Sequence, residues 1–112
     1  MGLFNKFKRS GEKSEQEQIS EVSDLMSDAL LRLDAQVNES ADVKNLIRSK
    51  MGITDETEIR AYGVAMLWSK QLADKGIDQS VIKNSLVTAL PIMYHMSAVK
   101  AEGLVTKVLS RL

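Results

Sequence analysis

His95 is the first residue to weigh for chemistry, the single histidine of the chain, set in Met93-Tyr94-His95-Met96. One imidazole in a chain without cysteine cannot supply the three or four His, Cys and acidic ligands of a zinc centre. Its apolar neighbours fit a partly buried structural histidine better than a ligand or a proton shuttle. Asp55 and Glu58 stand three apart, which is the spacing of a capping box, so the pair reads as a helix start and not as an acid/base couple. The acids of residues 15–39 spread around a helix without the spacing of a calcium loop. The serines lack a Gly-x-Ser-x-Gly elbow, and the six isolated glycines form no phosphate-cradling loop. Residue types in this pattern point to no catalytic residue, no metal and no cofactor. An enzyme is not expected.

Composition bounds the rest. With 112 residues, 44% of them apolar, the chain suits one domain with a core of its own. The absence of cysteine excludes disulfides and thiolate metal sites and fits a cytoplasmic location. No apolar run approaches the length of a membrane span, and no signal-peptide core follows the N-terminal charges. Net charge is zero but unevenly placed. Lys6, Lys8, Arg9 and Lys13 face only Glu12 in residues 1–13, whereas residues 15–39 hold seven acids against Arg32 alone. A basic tail beside an acidic helix suits either an anionic surface or contact with that helix.

Residues 1–14 read as a flexible basic and aromatic segment, and residues 15–112 as a single helical-bundle domain. On a short helix Leu3, Phe4 and Phe7 would share one side, with Lys6 and Arg9 off it. Met-Gly-Leu-Phe-Asn-Lys-Phe-Lys, at residues 1–8, resembles the amphipathic N-terminal peptide of many bacterial peripheral inner-membrane proteins. The resemblance implies weak, reversible attachment through Leu3, Phe4, Lys6, Phe7, Lys8 and Arg9 to an anionic membrane or to a partner. Lys6 stands where a myristoylation signal needs Ser or Thr, which disfavours lipidation.

The elements behind these residues are all helical. Ile19, Val22, Met26, Ala29, Leu30, Leu33 and Val37, with Leu25 beside them, step by three and four and predict an amphipathic helix over 15–38. Ser40 predicts the cap of a shorter helix ended by Gly52. A third helix starts at Asp55 and is apolar almost all round, which marks it as the central one. Gly63 inside it predicts a close helix crossing, and Trp68 a core anchor. Gly76 and Ile77 then predict a glycine-terminated end, with Ile77 returning to Leu72. Asp78 is expected to cap the next helix through its carboxylate, with Ile77 and Ile82 as a hydrophobic staple. Pro91 predicts a break or sharp kink near Leu90. A last segment from Ile92 carries a dense apolar stripe, with Gly103 weakening it or allowing close packing. Methionines 26, 51, 66, 93 and 96 sit on apolar stripes and read as core filling. The expected fold is all-α, a compact bundle of four to five helices.

Two surfaces remain for function. The run from Leu72 through Gly76 to Ile82 resembles a DNA-binding helix-turn-helix, with Gln79, Ser80, Lys83 and Asn84 as its readers. One positive charge on that helix is poor provision for phosphate contacts, so a plain helical hairpin is preferred to nucleic acid. The last helix offers Lys100, Leu104, Lys107, Val108 and Arg111 to a protein partner or to a second copy in a homodimer. The reading that results is a non-catalytic interaction or adaptor protein of the bacterial cytoplasm, peripheral at the inner membrane. A DNA-binding regulator using residues 70–90 is the alternative.

Overall fold

The computed structural model describes residues 14–111. They form five helices: α1 (Glu15–Glu39), α2 (Ala41–Met51), α3 (Glu56–Asp74), α4 (Gln79–Tyr94) and α5 (Ala98–Leu109). No strand occurs among the described residues. The all-α bundle expected from periodicity is the fold observed.

Local chemistry sets most of the boundaries. Ser14, Ser40, Asp55 and Ser97 each accept a hydrogen bond from the backbone N–H three residues on, which satisfies a donor that the helix start leaves free. Gly52 ends α2 at φ 68°, and Gly76 follows α3 at φ 83°. At Gly76 the chain makes the expected paired closure: Ile77 N–H donates to Leu72 O and Gly76 N–H to Ala73 O, each at 3.0 Å. Ile77 and Ile82 are both buried beside this turn.

Two local expectations are corrected. The carboxylate of Asp78 makes no capping bond. Instead the side chain of Gln18 reaches across from α1, its Oε1 accepting from Asp78 N–H at 2.7 Å. Of the break or kink expected near Leu90, the break does not occur: Pro91 lies inside α4, which runs on to Tyr94. Proline withholds one bond to the preceding turn, and three more residues of helix tolerate that loss. The break comes at His95, the one described non-glycine residue at positive φ (53°), and Ser97 restarts the chain as α5.

α3 is the hub. It packs against all four other helices, while α1 also meets α2 and α4, and α4 also meets α5. Nine of its residues are buried, among them Ile59, Tyr62, Trp68 and Leu72. Gly63 has the close crossing its sequence position implied: a Cβ there would lie 2.8 Å from Val37 Cγ1 and 3.3 Å from Ile47 Cδ1. Gly103 has nothing within 4 Å of such an atom, so close packing does not account for it. The five methionines are half-buried against the core, as core filling requires. Ile92, the start of the last apolar stripe, is instead 73% exposed, and Val99 of the same segment is 83% exposed.

Candidate partner-binding surfaces

Residues 3, 4 and 6–9, the basic and aromatic candidates, lie outside the described residues. The C-terminal candidates divide by helix face. Leu104 and Val108 point into the core at 6% and 1% exposure, because a three- or four-residue step keeps them in line with buried Ala101 and Val105. They are therefore corrected from contact residues to core residues. Lys100, Lys107 and Arg111 are exposed, and Lys100 Nζ sits 3.2 Å from Glu58 Oε2 of α3. On the helix-turn-helix-like hairpin, Gln79, Ser80 and Asn84 are exposed and Lys83 is half-buried. Trp68 is anchored from this hairpin: its indole N–H donates to Ser85 Oγ at 3.2 Å, and Ser85 in turn donates to Ile82 O.

The polar group that periodicity did not reveal joins α1, α3 and α4. Asp34 accepts from Arg60 Nη2 at 2.7 Å and from the Tyr94 hydroxyl at 2.6 Å. Burial pushes the Tyr94 phenol well above its ordinary value, the hydrogen bond and charge of Asp34 push it further, and Arg60 opposes them. The hydrogen bond to Asp34 also holds the Arg60 guanidinium above its ordinary value, against the cost of its burial. Both shifts describe a carboxylate clamped between two donors, which is a fastening of three helices. Nothing in the sequence signals it, since its members lie 26 and 60 residues apart. Gln18 had a visible signal, four residues before Val22 on the buried stripe of α1.

His95 ends α4 and lines a polar recess with Asp55, Glu58, Ser97 and Lys100. Its backbone conformation explains its position at the break. Among the described residues no three His, Asp or Glu side chains come together as a metal site.

Two grooves flank α1. The one toward α4 is small, about 200 Å³, with Ile19, Val22 and Met26 facing Val81 and an uncharged edge of Ser23, Asn84 and Thr88. The one toward α3 is two recesses of about 520 and 420 Å³ that share Leu25 and Lys75. Leu25, Ala29, Trp68 and Leu72 line its apolar part. Glu17, Glu21 and Asp24 edge it from α1, and Asp74 from the end of α3. No helix among the described residues is long and apolar enough to cross a membrane. No family model, curated protein or solved structure matches the chain.

Proposed function

We propose that this chain is a non-catalytic interaction protein of the cytoplasm, attached weakly and reversibly to an anionic membrane surface by residues 3–9. One observation carries the reading. The segment ahead of Ser14 sets Leu3, Phe4 and Phe7 among Lys6, Lys8 and Arg9 with no acid in residues 3–9, while the described residues build a core from all five helices between Val22 and Val108. Leu3, Phe4 and Phe7 supply apolar area, and Lys6, Lys8 and Arg9 supply attraction to anionic headgroups; a short segment of this kind binds reversibly. The polar groups of the bundle support the same reading by their employment. Asp34, Arg60 and Tyr94 fasten helices, and His95 ends one.

Co-sedimentation with vesicles tests it. Full-length protein should pellet with vesicles rich in phosphatidylserine, less with purely zwitterionic ones, and less as salt rises. The triple variant Lys6→Glu/Lys8→Glu/Arg9→Glu should stay in the supernatant. Equal pelleting by the variant and the native chain would remove the tether.

A further inference from the structure

The outer faces of α1 and α5 have no neighbour in the bundle, and their charges are opposite. We propose that the outer face of α1 packs antiparallel on the outer face of α5 in a second copy of this chain, with Asp24 beside Arg111, Asp28 beside Lys107, and Leu31 over Gly103. The contact rests on the reading of the chain as an interaction protein and is independent of the membrane tether.

Asp24, Asp28, Leu31 and Ala35 step by four, three and four, so they form one line along α1. All four are exposed, Leu31 by 65%. Along α5 and just past its end, Val99, Gly103, Lys107 and Arg111 step by four and form a ridge. All of these are exposed too, Val99 by 83%. α1 and α5 do not meet within the bundle, so each copy carries both faces uncovered.

Charge is the first argument. No ion pair among the described residues involves Asp24, Asp28, Lys107 or Arg111. The two acids stand four apart and the two bases stand four apart, so one alignment meets both pairs, about 6 Å from each other along the axis. A parallel alignment also meets both, but it carries Leu31 past Arg111, beyond the end of α5 at Leu109. The antiparallel alignment keeps Leu31 and Ala35 on the helix. With 15 acids and 15 bases in the chain, no net charge opposes the approach of a second copy.

Shape is the second argument. The antiparallel register sets Leu31 against Gly103 and Ala35 against Val99. Glycine weakens a helix interior relative to alanine, and nothing in its own chain crowds Gly103. Without a Cβ, Gly103 leaves a hollow between Val99 and Lys107, and Leu31 of a second copy fills it. Leu31 and Val99 then leave water together, while the four charges set register and direction more than they add affinity. The contact joins unlike faces of two copies. One helix pair is a small interface, so association is weak and depends on concentration.

Sedimentation velocity of the full chain, without vesicles, tests the contact. The average mass should rise with protein concentration and fall back as salt rises. Asp24→Lys/Asp28→Lys and Lys107→Glu/Arg111→Glu should each stay monomeric, since each puts like charges on both faces. An equimolar mixture of the two should associate again, because each offers the other an opposite face. All four positions are exposed, and recovery in the mixture shows that both variants are folded. Leu31→Ser, which keeps every charge, should also stay monomeric where the native chain associates. A native chain that is monomeric at every concentration overturns the proposal. So does association that persists in both charge variants, or a mixture no heavier than its parts. Association lost in Lys6→Glu/Lys8→Glu/Arg9→Glu but kept in Asp24→Lys/Asp28→Lys belongs to the N-terminal segment and overturns it too.

Discussion

Tyr94 shows what a single hydroxyl contributes when it joins elements far apart in sequence. Its phenol is favoured in the neutral form by the fold, so its ordinary pKa of about 10 is raised. The stabilisation is therefore complete below pH 10 or so and is lost as pH climbs above it. Tyr94→Phe should cost about 1–2 kcal/mol near neutrality, since the lost bond is to a charged acceptor. Urea unfolding at rising pH should show the native and variant curves converging in the alkaline range. Gly63 carries a second residue-scale prediction. Alanine ordinarily gains about 1 kcal/mol over glycine inside a helix. At Gly63 the added methyl meets Val37 at 2.8 Å, and overpacking should turn the gain into a net loss of about 1 kcal/mol or more. Gly103→Ala, with open space around it, should stabilise by up to about 1 kcal/mol. Opposite signs for one substitution in two helices, read by thermal melting, separate packing from propensity.

Between elements, the join at Asp78 departs most from local rules. Sequence pattern assigns its cap to its own carboxylate, because Asp before an apolar-periodic run is a strong start signal. The fold instead takes the acceptor from Gln18, 60 residues away. Gln18→Ala should cost about 1 kcal/mol and speed hydrogen exchange at the Asp78 amide more than at Ile77, whose N–H is held by Leu72. The same contrast explains which features were legible beforehand. Ser40, Gly52, Asp55 and Gly76 act on neighbours within six residues, and each was readable from spacing. Pro91 was readable as a disturbance but not as its outcome, because packing of the last turn of α4 decides whether the helix survives it. Asp34, Arg60 and Tyr94 meet only through tertiary structure, so no local pattern carries them. Leu104 and Val108 were visible as apolar but were assigned to a surface, because a helix stripe does not say which neighbour covers it.

For the whole molecule, the arrangement is a hub with four neighbours. α3 touches every other described helix, and Ile59, Val64, Ala65 and Leu72 are fully buried in it. Native-state exchange should find these amides opening only with global unfolding, while α2, which meets α1 and α3 alone and buries only Ile47, opens earlier. Charge organisation also belongs to this scale. Ahead of Ser14 the chain is basic, and residues 15–39 that follow hold seven acids against Arg32 alone.

The hub position also bears on how the protein is made. A ribosome releases α1, α2 and α3 before α5, yet Ala101, Val105 and Val108 of α5 supply part of the wall around α3. Until they emerge, the nascent chain holds a helix that is apolar on nearly every side with one side uncovered. That interval is when a chaperone has an apolar strip to grip, and a message cut short before the codon for Ala98 would make the interval permanent.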